Sequence, residues 1–147
     1  MKAIVAAAVL ALATAQAHAG SPVTYTVEQS FDDVVFGLEN AVIDRGLVID
    51  SVSHTGEMLE RTKADVGSDK TIFLKADVFS FCSAALSRKV MEADPMNVQF
   101  CPYDIFVLKF PDSPDQTTIG YRKLPDGPMK EVEALLDGIV REAAGLD

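Results

Sequence analysis

DIFVLKFPDSPDQTTIGYRKL, residues 104 to 124, decides the fold class. DIFVLKF (Asp104 to Phe110) is nearly continuous in apolar character, as a central strand requires. Pro111 to Asp115 holds two prolines, two aspartates and a serine, a composition that turns the chain. TTIGYRKL (Thr117 to Leu124) then returns as a second strand. A link this short has no room for a crossover helix, so the two strands pair antiparallel as a hairpin.

Working back from the hairpin, strands and helices alternate. VTYTV (Val23 to Val27) alternates apolar and hydroxyl residues like a half-buried strand. Ser30, with Asp33 three residues on, opens a helix whose apolar stripe is Phe31, Val34, Val35, Leu38 and Val42, and Gly46 suits its C-terminal stop. LVIDSV (Leu47 to Val52) and TIFLKADVF (Thr71 to Phe79) read as further strands, with a short helix over Glu57 to Thr62 and a loop over Val66 to Asp69 between them. Ser80 is placed to cap a helix containing Cys82, Leu86, Val90 and Ala93 that ends before Pro95. In the last helix Pro128 suits the first turn, and Val132, Leu135, Leu136, Ile139, Val140 and Ala143 make one stripe. Asp137 and Arg141 read as its solvated back. The predicted order is β-α-β-(α)-β-α-β-β-α: an α+β fold with helices packed on one face of a largely antiparallel sheet.

The N-terminus places the chain in a compartment. In MKAIVAAAVLALATAQAHAG, Lys2 is a positive n-region, Ala3 to Ala15 an apolar run of h-region length, and Ala17-His18-Ala19 an A-x-A cleavage pattern. The run is too short to span a bilayer comfortably, where about 20 apolar residues are needed. The reading is a cleaved signal peptide over residues 1–19, export to the periplasm or beyond, no membrane anchor, and one mature domain over residues 20–147. The full sequence has 22 acidic against 13 basic side chains and a net charge of −9. Such a surface repels nucleic acid and anionic lipid.

FCSAALSRKVMEADPMNVQFCPY, residues 81 to 103, holds both cysteines. In an oxidising compartment an even cysteine count implies pairing, and a disulfide Cys82–Cys101 is expected. Two alternatives stay open. Cys82 near a helix N-terminus would be a thiol of lowered pKa and could serve a thiol-redox accessory enzyme. A metal or non-covalently bound haem could use His54 with soft sulfur ligands, of which Met58 and Met96 are candidates beside Met91 and the cysteines. No C-x-x-C-H is present, and no pair of these residues has a standard zinc spacing.

His54 is the one histidine of the mature chain, and histidine is the side-chain type that ordinarily changes charge near neutral pH. It follows a strand and opens a polar stretch with Glu57, Glu60, Arg61 and Asp65. A ligand site of His54 and Arg61, walled by Met58, would suit an anion or carboxylate. The competing reading pairs Arg61 with Glu57 four residues before it and leaves His54 a solvated surface residue hydrogen-bonded to a nearby carboxylate. Arg88 and Lys89 read as solvated, and Tyr103 and Tyr121 as facing each other across the sheet. No G-x-S-x-G, H-E-x-x-H or phosphate-binding glycine loop occurs, so no catalytic residue is assigned.

The segment FCSAALSRKVMEADPMNVQFCPYDIFVL, with GLVIDSVSHTGEMLERTKADVG before it, resembles the exported, cysteine-containing branch of the bacterial family called domain of unknown function 302. The resemblance covers roughly Val23 to Lys123 and leaves the C-terminal helix outside. It implies a compact α+β fold that is often dimeric, with no agreed activity and no catalytic residues to transfer. The resulting expectation is a non-catalytic periplasmic binding or interaction domain, with an unknown small ligand or periplasmic protein as partner, no required cofactor, and a homodimer as its assembly.

Overall fold

A computed structural model describes residues 20–146. The expected signal peptide and its cleavage point lie outside them, apart from Gly20. The elements are β1 (Val23–Val27), α1 (Phe31–Asp44), β2 (Ile49–Ser53), α2 (Thr55–Thr62), β3 (Lys75–Phe81), α3 (Ala84–Ala93), β4 (Tyr103–Lys109), β5 (Thr117–Tyr121) and α4 (Met129–Ala143). Short 3-10 segments occupy Ala64–Val66 and Pro95–Phe100.

The strands form one sheet in the order β1-β5-β4-β3-β2, and every neighbouring pair is antiparallel. Apolar β4 is central, as its composition predicts. Register puts Phe79 opposite Ile105 and Phe81 opposite Tyr103, while Val107 faces Ile119. These side chains share one sheet face and one buried cluster with Val34, Leu38 and Val42 of α1, Val90 of α3, and Val132, Leu136, Ile139 and Val140 of α4. The other face carries Thr24, Thr26, Val78, Phe106, Leu108 and Thr118, all half-buried or exposed. On that face the ring of Phe106 lies over Gly120. A Cβ there would sit 2.8 Å from the ring and 2.4 Å from the Val23 carbonyl, so only glycine lets β1 close on β5.

Several boundaries differ from the expectation, each for a local reason. The third strand starts at Lys75 rather than Thr71, because the Thr71 hydroxyl is tied to Glu60 and Lys63 beside α2. It runs on to Phe81, since Phe79 and Phe81 both point into the core at strand period. Ser80 is therefore a strand residue that donates to Asp104 at 2.5 Å, and the cap of α3 is Ser83. Cys82 sits ahead of that cap, not in the first turn of the helix. The fifth strand stops at Tyr121 because the Leu124 N–H is drawn to Glu133 on α4, at 2.6 Å.

Asp137 is also placed differently. It is half-buried, and it accepts hydrogen bonds from Tyr25 at 2.7 Å and Tyr121 at 3.0 Å. An acidic residue beside Leu136 in the stripe thus pins α4 to β1 and β5. Burial, and then the bond to Asp137, push the Tyr121 hydroxyl well above the usual tyrosine range. Tyr103 and Tyr121 do not face each other. Tyr121 opposes Ile105, and Tyr103 pairs with the Ser87 hydroxyl at 2.8 Å. Arg88 is exposed and pairs with Glu92, whereas Lys89 reaches across to Glu131 on α4.

Glu133 gives the fold one acid-sensitive contact. Burial alone would raise its pKa. The hydrogen bond from Lys130 at 2.9 Å and the Leu124 N–H outweigh that and hold the carboxyl below its usual range. Its stabilisation is therefore complete above the ordinary carboxylate range and is lost as pH falls through the depressed value. Glu133→Gln is expected to lower stability by a constant amount near neutral pH and to flatten the acid limb, as read by urea denaturation from pH 3 to 8.

Candidate functional site

The register that ends β2 builds the site. Ser53 pairs with Val78, so the next residue, His54, comes level with Asp77 on β3. The His54 Nδ1 lies 2.9 Å from Asp77 Oδ1. An ionised carboxylate only accepts, so Nδ1 carries the proton in this bond and Nε2 is left as the free ring nitrogen. His54 also takes the N-cap position of α2. The helix then presses onto β3 at Gly56, where a Cβ would meet the Ala76 nitrogen at 2.6 Å. The absent side chain at Gly56 brings α2 against the start of β3.

Between α2, the start of α1 and the start of β3 lies a cleft of about 580 Å³. Phe31, Val35, Leu74 and Ala76 give it apolar walls, and Asp32, His54, Glu57, Glu60, Arg61, Lys75 and Asp77 its polar groups. Such a mixture of apolar wall and a few charged groups is typical of small-ligand sites, and the volume is in their range. Most of the charges are already matched. Lys75 pairs with Asp32 at 2.7 Å and lies 5.0 Å from the centre of the Phe31 ring. Glu60 is held by Lys63 and by the Thr71 hydroxyl, and the Lys63 contact chiefly keeps its carboxyl below the usual range. Arg61 and Glu57 have no ion-pair partner among the described residues, so the Glu57–Arg61 pair of the competing reading is not formed.

His54 and Arg61 thus line one cleft. Met58 does not line it; it is 43 % exposed on α2, with Thr62 beside its sulfur. Met96 is exposed in the 3-10 segment after α3, which follows the far end of β3 from the cleft, so His54, Met58 and Met96 do not converge. Met91 packs against the core. Among the described residues no group of three or more His, Cys, Asp or Glu side chains is arranged to hold a metal ion. Cys82 and Cys101 are bonded to each other, with Cα atoms 6.5 Å apart, so neither sulfur is a thiolate in this state.

The sequence reading missed Asp77, Lys75 and the apolar walls. Asp77 had a signal. In TIFLKADVF it shares the strand parity of Phe79, and a carboxylate on the core-facing side of a strand calls for a partner.

The family model described as "Domain of unknown function DUF302" matches residues 23–140. No curated protein matches the chain. A solved structure described as an uncharacterized conserved DUF302 protein from Bacillus stearothermophilus is similar in fold, with a TM-score of 0.59 at 17 % identity over 85 % of this chain and 94 % of that one.

Proposed function

The chain belongs to the DUF302 family, and from that premise we propose that it is a non-catalytic periplasmic binding domain that takes a small carboxylate-bearing ligand in the cleft between α1, α2 and β3. The observation that carries the reading is Arg61, a cation without an ion-pair partner among the described residues, in the same partly apolar cleft as a histidine oriented by Asp77. Arg presents a planar fork matched to a carboxylate. Asp77 fixes the His54 ring at the edge of the cleft, and Phe31, Val35 and Leu74 offer surface for an apolar body.

Calorimetry of the mature chain with apolar monocarboxylates tests it. Saturable binding is expected, weakened about tenfold in Arg61→Ala, the size of one charge-assisted hydrogen bond. No saturable heat, or equal affinity in Arg61→Ala, overturns it.

Export is part of the same proposal. Ala17-His18-Ala19 is the cleavage signal, and intact-mass analysis of the protein from its host is expected to give Gly20 as the first residue. A chain still carrying Met1 to Ala19 would remove the periplasmic assignment. The proposed homodimer rests on the uncovered sheet face. Val78 and Phe106 lie there with Asp104 and Arg122, charges of opposite sign that a two-fold axis would bring together. Sedimentation equilibrium distinguishes one chain from two.

A further inference from the structure

Resting on the carboxylate-binding reading, we propose that the ligand of the cleft is a zwitterion: an α-amino acid with a large apolar side chain. The argument begins with the charges left over once the internal pairs form. Asp32 is matched by Lys75 and Glu60 by Lys63, while Asp77 is engaged by a hydrogen bond with the His54 ring. One cation and one anion remain in the lining without an ion pair among the described residues, Arg61 and Glu57. They are four residues apart on α2, on adjacent turns of one helix face. Glu ahead of an Arg at this spacing is a favourable helical ion pair. Here the two side chains stay apart, with both heads available to the cleft.

An α-amino acid carries a carboxylate and an ammonium on one carbon. Arg61 would take the carboxylate and Glu57 the ammonium, each through a charge-assisted hydrogen bond. The side chain of the amino acid would lie on Phe31, Val35 and Leu74, of which Leu74 is 48 % exposed and gains most from being covered. Long-range charge favours the same class. The chain carries a net charge of −9, a field that repels a monoanion and leaves a net-neutral zwitterion unaffected.

The test compares three probes of one shape on the mature wild-type chain: leucine, 4-methylpentanoate, which lacks the ammonium, and leucinamide, which lacks the carboxylate. Leucine is expected to bind roughly tenfold more tightly than either, the value of one charged contact. Glu57→Gln should abolish the preference for leucine over 4-methylpentanoate, and Arg61→Ala the preference over leucinamide. Equal binding of leucine and 4-methylpentanoate overturns the zwitterion and leaves the carboxylate site standing. Leucinamide binding as well as leucine, or no binding by any probe, overturns both. The wild-type comparison alone decides, so the result does not depend on either variant folding.

Discussion

Phe81→Ala is expected to lower the unfolding free energy by about 3–5 kcal/mol, the usual cost of removing a buried phenylalanine. Phe81 has no exposed surface. Its ring meets Tyr103 edge-on, with centroids 6.4 Å apart and planes at 82°, a geometry that adds to simple burial. The pair joins the end of β3 to the start of β4, where the sheet hands over to α3. The variant leaves a cavity that the neighbouring strands cannot fill without shifting register. Urea denaturation reads the loss as a lower midpoint at unchanged slope. Phe36→Ala is the control, because Phe36 is 66 % exposed on α1 and its loss should stay within about 0.5 kcal/mol. Equal effects of the two substitutions would contradict the assigned core.

Cys82→Ser is expected to cost about 2–5 kcal/mol, the usual loss on removing a native disulfide from a small exported domain. The bond ties the residue after β3 to a residue just ahead of β4, across α3 and the 3-10 segment Pro95–Phe100. That excursion has one fully buried hydrophobic residue, Val90. The cross-link therefore restrains a segment that packing restrains weakly. Dithiothreitol should lower the wild-type midpoint to near that of the variant and leave the variant unchanged. Alkylation of both thiols in native protein purified without reductant would contradict the bond.

The hairpin from Tyr103 to Tyr121 shows why the fold class was legible. Its apolar run, its turn residues and its short link are local features, and they dictate antiparallel pairing wherever the rest of the chain goes. The Cys82–Cys101 bond was legible from the expected compartment and the cysteine count rather than from geometry. The end of β3 was less legible, because Ser80 and Ser83 are both competent caps. The choice between them rests on Phe81, which gains its burial from Tyr103 and the distant helices. Asp137 was misplaced for the same reason. Its partners Tyr25 and Tyr121 come from strands far from it in sequence.

The site was half legible. His54 and Arg61 lie within one short polar stretch and reach the same cleft. Asp77, Lys75 and Phe31 join them only through sheet register and the docking of α1, and of the three only Asp77 carries a local signal, its core-facing strand parity. Gly56 is the physical hinge of the matter. Read as a sequence it is a glycine in the first turn of a short helix. In the fold it allows α2 to touch the Ala76 backbone and closes one side of the cleft.

The ring resonances of His54 give the most direct test of the cleft as a ligand site. They are followed by NMR at fixed pH while leucine, and separately 4-methylpentanoate, is titrated into the mature chain. Saturable movement is predicted in the wild type, with leucine saturating at lower concentration, and the movement should be lost or strongly weakened in Arg61→Ala. Resonances that stay in place with both ligands, or that move identically in wild type and Arg61→Ala, would contradict the account.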